Sequence, residues 1–405
     1  MNARSRKRYK KSMSDEKVIL MLLNQKFLPD IRVEQECDAL EERGYRVIIV
    51  ANNDGVDSKE YEVVRVDPHE GLSKRYNRSL RSNPKLQKEI IEKLEALDVH
   101  RIDVVHVHDL LWSFLGFQLK DYYSAKMVID LHENYPAMLE AVRNKPQKKV
   151  WNAIRKIAGR HKRFYRYEEK MLEKTDRFIV VVNEALERFV HKSFHQKGVV
   201  VSNTKNPSQW HLDELPALED KLIVTYMGTI QDLRGLDTAI EAMNYIDHSK
   251  VQLNIVGVVR GDVHHQKFSD LIKRFKIKNV NLVEWQTNEE KAFDYIKKSH
   301  IGIVPHKDTA LTQTTIPHKL FMYMAIGRPV LVSDVSPLKR VVEDAKNGMV
   351  FKADDPRDMA SCLTEMHDYD ALMNFSKNGR LAAETTYSWE KDKARLLNLY
   401  EELLC

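Results

Sequence analysis

Residues 221–244 read KLIVTYMGTIQDLRGLDTAIEAMN, and this stretch holds the structural unit that the rest of the chain repeats. An apolar run typical of a strand ends at Gly228, a polar loop follows, and a helical pattern begins at Leu236. Strands that alternate with helices in this way predict a parallel sheet with helices on both faces. The stretch therefore indicates an α/β fold.

The same alternation extends to both sides of the stretch. Upstream apolar runs are KVILMLL, YRVIIVA, IDVVHVHD, AKMVIDLHE, DRFIVVVN and KGVVVSN, and downstream runs are VQLNIVG, VNLVEW, HIGIVPH and PVLVSD. The alternation pauses over a polar segment with two prolines that ends at Leu218. We expect two doubly wound, Rossmann-like domains. Because ligands bind beyond the carboxyl ends of parallel strands, we also expect a cleft between the domains.

Five segments are predicted from this pattern. Residues 1–16 form a basic disordered arm, residues 17–206 a first Rossmann-like domain, residues 207–218 a linker and residues 219–386 a second Rossmann-like domain. Residues 387–405 form a C-terminal helix with apolar residues at helical spacing, which is expected to pack back on the first domain. A chain of 405 residues fits two domains of roughly 150 to 200 residues each.

The composition is that of a globular protein. Hydrophobic residues make up 43% and charged residues 31% of the chain, and no apolar run reaches the ~18 residues that a membrane span requires. Three cysteines, Cys37, Cys362 and Cys405, lie far apart, which is typical of reduced thiols in a cytoplasm rather than of a disulfide framework or a zinc cluster. The expected location is cytoplasmic.

Several enzyme classes lack their sequence signatures here. No Gly-x-Gly-x-x-Gly follows the first strand, which disfavours a nicotinamide dehydrogenase, and no GxxxxGK[ST] occurs, which disfavours a P-loop nucleotidase. Neither a His-Glu-x-x-His motif nor a Gly-x-Ser-x-Gly elbow is present. We predict no metal and no cofactor. Nucleic acid is not an expected partner, because no recognisable binding module occurs.

Histidines follow two apolar strands in the first half of the chain. Strand alternation puts His106 and His108 on one face, with His108 nearer the end where ligands bind. An imidazole there can hydrogen-bond a hydroxyl or position a reacting group, and the alternative is a structural histidine that caps the turn. His132 and Glu133 repeat the arrangement on a neighbouring strand, either to bind substrate hydroxyls or to brace the loop.

The loop of the opening stretch offers an anion site. Gly235 lets the backbone approach a ligand, the helix that begins at Leu236 attracts anions, and Arg234 provides a forked donor for phosphate. Together these features favour a diphosphate. The alternative is a surface arginine followed by a capping glycine.

In their order and spacing, the motifs resemble family 4 of the retaining, nucleotide-sugar-dependent glycosyltransferases, which have the GT-B fold. The likeness rests on DIRVEQECDALEERGYRVIIV, VVHVHD, IDLHENYP, FIVVVNEAL, YMGTIQDLRGLDTAIEAM, IVGVVRGD, HIGIVPH, TIPHKLFMYMAIGRPVLVSD and the closing SWEK helix, and it runs from Lys17 to Leu404. It implies that the second domain binds a nucleotide sugar and that the first binds an acceptor.

The resemblance also implies roles for particular residues. Arg234 and Lys319 would clamp the diphosphate without a metal and, with His108 near the anomeric carbon, are the predicted catalytic residues. The predicted donor-binding residues are Gly228, Thr229, Arg234, His306, Thr314, Thr315, His318, Lys319 and Met322. The predicted acceptor-binding residues are Arg32, Asp109, His132 and Glu133.

Some positions depart from the family pattern. Many members carry two glutamates, one that contacts the donor sugar and one that accepts hydrogen bonds from the ribose hydroxyls, and these align with Thr314 and Met322. A thioether is a weak acceptor that cannot replace a carboxylate, so the ribose would need another group such as Glu343 or a water. The family's frequent arginine after the glycine is Thr229 here, which leaves Arg234 as the main cation on the loop.

The predicted function is transfer of a sugar from a nucleoside-diphosphate donor to a hydroxyl of a glycan or lipid-linked acceptor, with retention, in cell-surface polysaccharide synthesis. Met322 keeps open an alternative, a catalytically inactive relative that acts as a partner protein. A second alternative is a GT-B nucleotide-sugar epimerase, which shares the two-domain cleft and acts without an acceptor.

Residues 142–167 are dense in Lys and Arg, interleaved with aromatic and aliphatic residues. Such a stretch can lie on an anionic bilayer, which predicts contact with the inner face of the cell membrane. The alternative is a solvated helix whose aromatic residues pack on the first domain.

Overall fold

The computed structural model describes residues 16–25, 27, 30–52, 60–67, 83–143, 162–206, 214–286 and 289–405. They form two compact units. Unit 1 contains the described residues up to Val180 together with Phe189–Val199 and Lys393–Cys405, and unit 2 contains Val181–Arg188 and the described residues from Val200 to Asp392. Residues 1–15 of the predicted arm, 207–213 of the predicted linker and 144–161 of the predicted membrane-contact segment lie outside the described residues.

Unit 1 is built on a seven-stranded parallel sheet of order β3-β2-β1-β4-β5-β6-β7. The strands are β1 (Val18–Leu23), β2 (Arg46–Asn52), β3 (Glu62–Val66), β4 (Val104–His108), β5 (Lys126–Leu131), β6 (Arg177–Val180) and β7 (Gly198–Val200). Its helices include α1 (Ile31–Glu42), α2 (Pro84–Glu95), α3 (Ser113–Tyr123), α4 (Tyr135–Arg143) and α5 (Lys162–Lys174). Every residue of β1 is buried, as expected for a strand covered on both faces.

Unit 2 has a six-stranded parallel sheet of order β10-β9-β8-β11-β12-β13. Two short helices, α6 (Asn183–Glu187) and α7 (Lys192–Lys197), precede β7 in the chain, and α6 belongs to this unit. The strands are β8 (Leu222–Met227), β9 (Val251–Val258), β10 (Val280–Glu284), β11 (Ile301–Val304), β12 (Val330–Ser333) and β13 (Gly348–Phe351). The helices are α8 (Leu236–Ala242), α9 (Val263–Phe275), α10 (Glu289–Lys297), α11 (His318–Ala325), α12 (Ser336–Ala345), α13 (Pro356–Glu365), α14 (Tyr369–Thr385) and the start of α15 (Trp389–Leu404).

Both sheets confirm the predicted doubly wound α/β fold. In each sheet the strand order reverses next to the first strand, between β1 and β4 in unit 1 and between β8 and β11 in unit 2. The right-handed crossovers that connect parallel strands then place helices on opposite faces of the two halves of the sheet. The crevice beyond the carboxyl ends of the strands at this reversal is the usual ligand site of such sheets.

A buried arginine fixes the turn that follows α11. Gly327 takes a φ of 73°, and the fully buried Arg328 comes next. The Nε atom of Arg328 donates to the carbonyl of Ile296 at 3.1 Å, and Nη2 donates to the carbonyl of Lys297 at 3.0 Å. Because these carbonyls close α10, where the helix dipole is negative, the guanidinium is electrostatically favoured there. Arg328 thereby ties α10 to the end of α11, the helix that carries Lys319.

The last thirteen residues of the chain, Lys393–Cys405, belong to unit 1 although α15 begins in unit 2. Arg43 pairs with Glu401 and Arg177 pairs with Glu402, both at the surface of unit 1. Tyr400, one turn before the end of the helix, is fully buried in the same unit. Within the described residues, no helix combines the length and the apolar character that crossing a bilayer needs.

Candidate functional site

The strand reversal of unit 2 brings two loops together. β8 and β11 are neighbours, and their carboxyl ends are followed by Gly228 and by Pro305 and His306. A short 3-10 turn at Asp232–Arg234 then leads through Gly235 into α8. The side chains that leave these two loops therefore meet at the crevice where doubly wound sheets bind their ligands.

Two glycines make this close approach of the loops feasible. Gly235 has a φ of +65°, and a Cβ there would lie 1.8 Å from the carbonyl oxygen of Pro305. Gly228 has a φ of +132°, and a Cβ there would lie 3.0 Å from Nζ of Lys319. A side chain at position 235 would collide with the carbonyl of Pro305, and residues with a side chain disfavour this positive φ. The position therefore requires glycine.

Arg234 and His306 form a hydrogen-bonded pair. The guanidinium Nη1 of Arg234 donates to Nε2 of His306 at 3.0 Å, so the imidazole carries its proton on Nδ1. His306 is buried with 1% of its surface exposed, and burial together with the charges of Arg234 and Lys319 holds its pKa well below the usual range. His306 is therefore neutral at physiological pH and orients the arginine without neutralising it.

Lys319 is the second cation of the site. Its Nζ lies 3.6 Å from the centroid of the Tyr226 ring, in a cation–π contact, and the side chain is half-buried at the start of α11. Burial, and then the charge of Arg234, hold the pKa of Lys319 well below that of a lysine in water. Among the residues that the structure describes, neither Arg234 nor Lys319 forms an ion pair with a carboxylate.

This uncompensated pair is the electrostatic signature of an anion site. Two cations that share a crevice repel each other, and partial burial disfavours the charge of each. A bound diphosphate would remove both penalties, because its oxygens accept charge-assisted hydrogen bonds from guanidinium and ammonium groups. The geometry of Gly228, Arg234, His306 and Lys319 thus supports diphosphate binding chemically, with Tyr226 as the platform beneath the lysine.

The other predicted donor-binding residues lie in more varied surroundings. Met322 has 7% of its surface exposed and packs among core residues of α11. The hydroxyl of Thr314 donates within its own turn, to the carbonyl of Ala310 at 2.9 Å. Nδ1 of His318 lies 3.1 Å from the carbonyl oxygen of Asn203. Thr315 is half-buried and Thr229 is exposed.

Unit 1 carries a second group of polar residues at its own strand reversal. Arg32, in the first turn of α1, donates to both carboxylate oxygens of Asp130, with Nη2 to Oδ1 at 2.8 Å and Nε to Oδ2 at 3.0 Å. The same Nε lies 3.1 Å from Oε1 of Glu36. All three side chains are buried, and burial next to Asp130 raises the pKa of Glu36 to about 8. Arg32 is thus a structural cation, and its predicted role in acceptor binding stays a prediction.

Three histidines complete the cluster. The rings of His106 and His108 stack with centroids 4.4 Å apart and an interplanar angle of 17°, which confirms that they share one face of β4. Nε2 of His132 lies 3.0 Å from Nδ1 of His108 and 3.0 Å from Oδ2 of Asp130. Burial opposes the charge of His132, but the Asp130 and Asp109 carboxylates outweigh it and raise the pKa of His132 to about 9, so the ring is doubly protonated and its one Nε2–H is shared between Nδ1 of His108 and Oδ2 of Asp130.

This arrangement defines the tautomer of His108. Because His132 donates to Nδ1 of His108, the proton of His108 lies on Nε2, which has no hydrogen-bond partner in the described residues although the side chain is 1% exposed. Burial lowers the pKa of His108, and the charge of His132 adds to this effect against the opposing negative charge of Asp130. His108 is therefore a neutral imidazole whose N–H lies inside the protein.

Asp109 and Glu133 follow β4 and β5. Asp109 has a φ of 61°, and its Oδ1 accepts a hydrogen bond from the backbone N–H of His132 at 3.1 Å. Glu133 is half-buried. The structure therefore groups Asp109 with His108 and His132 at the ends of neighbouring strands, as the sequence analysis expected of residues after strands.

The cluster also has the composition of a metal site. Glu36, His106, His108 and Asp130 each offer a ligand atom, and these atoms lie within 4.8 Å of one another. Arg32 already donates to both oxygens of Asp130 and lies beside Glu36. A metal ion would have to displace or oppose this guanidinium, so the donor set favours a proton network. That the protein uses no metal stays a prediction.

Sequence reasoning did not find Tyr226, Glu36, Asp130 and Tyr400. Tyr226 precedes Gly228 by two residues on β8, so strand alternation provided a signal for it. Asp130 provided another, because an aspartate inside an apolar strand requires a buried partner. Glu36 and Tyr400 lie on helices and gave no local signal.

Comparisons with known proteins give matches to glycosyltransferases. Residues 31–208 match the family described as Glycosyltransferase Family 4, and residues 221–368 match the family described as Glycosyl transferases group 1. An uncharacterized glycosyltransferase of Methanocaldococcus jannaschii is 23% identical over 90% of this chain and 88% of its own. A D-inositol 3-phosphate glycosyltransferase of Thermobispora bispora is 22% identical over 75% of this chain and 71% of its own.

Solved structures share the architecture. Sucrose-phosphate synthase from Thermosynechococcus elongatus superposes with a TM-score of 0.73 at 17% identity, covering 96% of this chain and 99% of its own. WaaG, a glycosyltransferase involved in lipopolysaccharide biosynthesis, superposes with a TM-score of 0.64 at 16% identity, covering 93% of this chain and 98% of its own. Anabaena HepE in complex with UDP-glucose superposes with a TM-score of 0.64 at 13% identity, covering 95% of this chain and 99% of its own. At these identities the likeness is one of fold, and the fold is GT-B.

Proposed function

Because the chain carries a Glycosyltransferase Family 4 domain followed by a Glycosyl transferases group 1 domain, we propose that it transfers a sugar from a nucleoside-diphosphate donor to an acceptor hydroxyl. The acceptor is a glycan or a lipid-linked molecule in cell-surface polysaccharide synthesis, and the anomeric configuration is retained. One observation carries the proposal: Arg234 and Lys319 converge on a crevice in which no described carboxylate pairs with either of them.

The proposed step uses these cations as the electrostatic catalyst. The acceptor oxygen forms a bond to the anomeric carbon while the bond from that carbon to the diphosphate oxygen breaks. The departing diphosphate gains negative charge and takes the acceptor proton. Arg234 and Lys319 stabilise that charge without reorganisation, since both are held in place before the reaction by His306 and Tyr226. The proposal keeps His108 in its predicted role near the transferred sugar, on the strength of the family resemblance alone.

The donor is a nucleoside diphosphate sugar, and two relatives support this class. Anabaena HepE has been solved with UDP and with UDP-glucose, and starch synthase IV from Arabidopsis thaliana with ADP. The buried Met322 cannot accept the ribose hydrogen bonds, so we propose that backbone groups or water hold the ribose. We propose a cytoplasmic protein that contacts the membrane surface through residues 142–167, on the strength of their basic and aromatic composition alone.

Isothermal calorimetry with UDP, ADP, GDP and the corresponding glucose and mannose donors, in EDTA, tests the proposal. We expect one nucleotide to bind the wild type saturably, and Arg234→Ala to weaken that binding by about tenfold or more. Arg357→Ala is the matched control, because Arg357 also lies over a tyrosine ring, 4.7 Å from the centroid of Tyr245, but on the exposed start of α13. A well-folded wild type that binds none of these nucleotides would indicate a catalytically inactive relative instead.

A further inference from the structure

Tyr400 connects the end of the chain to the histidine cluster of unit 1. Its side chain is fully buried, and its hydroxyl lies 2.6 Å from Nδ1 of His106, a residue 294 positions earlier. Both residues belong to unit 1. Burial raises the pKa of Tyr400 well above that of a free tyrosine, so the hydroxyl keeps its proton.

The surroundings of His106 determine which group donates. His106 is fully buried, and burial lowers its pKa well below the usual range, so the ring is neutral with one N–H. Its Nε2 has no hydrogen-bond partner in the described residues, and the nearest carboxylate oxygen is Oε2 of Glu36 at 3.9 Å. Tyr400 keeps its proton, and the hydrogen-bond partner of its hydroxyl is Nδ1 of His106, so Nδ1 is the acceptor and the ring proton lies on Nε2. The hydroxyl of Tyr400 therefore donates to His106.

The hydrogen bond also fixes the plane of the His106 ring. That plane lies against the ring of His108, with the centroids 4.4 Å apart and the planes within 17° of each other. His108 is held on its other side by His132, whose ring centroid lies 5.2 Å away in an edge-on contact at 69°. Rotation of His106 would remove one of the two walls that hold His108.

We infer that Tyr400 is a positioning residue for His108: it holds His106 in one tautomer and one plane, and His106 in turn holds the imidazole of His108. The inference rests on the proposed function for the role of His108. The inference gives α15, the last helix, a role in the histidine cluster. No sequence motif near Tyr400 suggests this role.

The test compares Tyr400→Phe with Tyr45→Phe in the full chain. Tyr45 is the matched control because its ring packs 6.1 Å from that of Tyr400, whereas its hydroxyl does not contact His106. The readouts are kcat and KM for release of nucleoside diphosphate from UDP-glucose, ADP-glucose and GDP-mannose, and the Kd of the free diphosphate. We expect Tyr400→Phe to lower kcat roughly tenfold with the Kd unchanged, since misplacement of a reacting group affects the rate rather than donor binding. A kcat equal to that of Tyr45→Phe would overturn the inference.

A double-mutant cycle separates positioning from loss of stability. His106→Phe removes the acceptor of the bond and keeps an aromatic ring, and replacing both partners by apolar groups of similar shape costs little stability. We expect Tyr400→Phe to change kcat by less than about twofold in the His106→Phe background. A full additional loss there would show that Tyr400 acts by another route and would overturn the inference.

The nitrogen spectrum of the imidazoles provides a readout that needs no turnover. In ¹⁵N-histidine-labelled wild type, His106 is expected to show one neutral tautomer with the proton on Nε2, and Tyr400→Phe should give mixed tautomers at His106 with shifted His108 signals. If the wild type turns over none of the three nucleotide sugars, the proposed function fails while this test still stands. Unchanged His106 and His108 spectra in Tyr400→Phe would then overturn the inference on their own.

Discussion

Replacing Lys319 by methionine should have effects of opposite sign on stability and on ligand binding. Methionine keeps most of the apolar stem of the side chain and removes a charge that burial and Arg234 disfavour. The loss of the cation–π contact with Tyr226 at 3.6 Å offsets part of the gain. We therefore expect the unliganded variant to unfold at or above the melting temperature of the wild type.

The effect on nucleotide binding should be a loss of affinity. One charge-assisted hydrogen bond to phosphate contributes about 2 kcal/mol, which corresponds to about 30-fold in Kd. A nucleoside diphosphate at 100 times the wild-type Kd stabilises the wild type by about 2.7 kcal/mol and would stabilise the variant by only about 0.9 kcal/mol. For a domain of this size, the shifts in melting temperature are roughly 5–11 °C for the wild type and 2–4 °C for the variant.

Differential scanning fluorimetry at several nucleotide concentrations measures both effects. Lys88→Met is the control, because Lys88 is an exposed lysine of α2 whose charge faces Glu92 at 3.6 Å. Its ligand shift should match that of the wild type. The reasoning is refuted if Lys319→Met lowers the unliganded melting temperature by several degrees and leaves the ligand shift intact.

Three further outcomes are expected. Gly235→Ala should lower the free energy of unfolding by about 2–4 kcal/mol in chemical denaturation, since a Cβ would lie 1.8 Å from a backbone oxygen. Gly261→Ala is the control and should cost about 1 kcal/mol, because a Cβ there has nothing within 4 Å. Equal costs for the two variants would contradict the packing argument. Met322→Glu should lower the melting temperature of the unliganded protein, because the site is 7% exposed, yet tighten nucleotide binding about tenfold; weaker binding would mean that the methionine is structural. In the Lys319→Met variant, which removes a group whose lowered pKa contributes with the opposite sign, the free energy of unfolding should fall as the pH rises from about 6.5 to 9. The folded state holds protons on His132, with a pKa of about 9, and on Glu36, with a pKa of about 8, that the unfolded chain releases; a flat profile in this variant would exclude the proton network.

The sequence predicted the parts of the site that depend on local geometry. Arg234 and Gly235 follow the first strand of a doubly wound sheet, and the position after that strand is near the ligand for any sheet of this kind. Strand alternation likewise placed His106 and His108 on one face, as their stacked rings confirm. In both cases a short sequence pattern and the geometry of a parallel strand were sufficient to predict where the side chains lie.

Other features depend on residues that are distant in the sequence. The pKa of Lys319 reflects its burial and its neighbour Arg234, which no pattern near Lys319 reveals. The protonation of His132 depends on Asp130, whose charge is balanced by Arg32 from a different helix. Such properties follow from the summed electric field of groups that only the folded chain brings together.

The composition of unit 1 has a consequence for how the protein is made. Its sheet is complete by Val200, but Lys393–Cys405 belongs to the same unit, and a ribosome translates the whole of unit 2 before it reaches them. At ~5–20 residues per second, unit 1 waits roughly 10–40 s with His106 lacking the hydroxyl of Tyr400. Unit 1 is thus completed only after unit 2 has been synthesised, although most of unit 1 is encoded first, and a chain that ends before Tyr400 lacks the hydroxyl that contacts Nδ1 of His106.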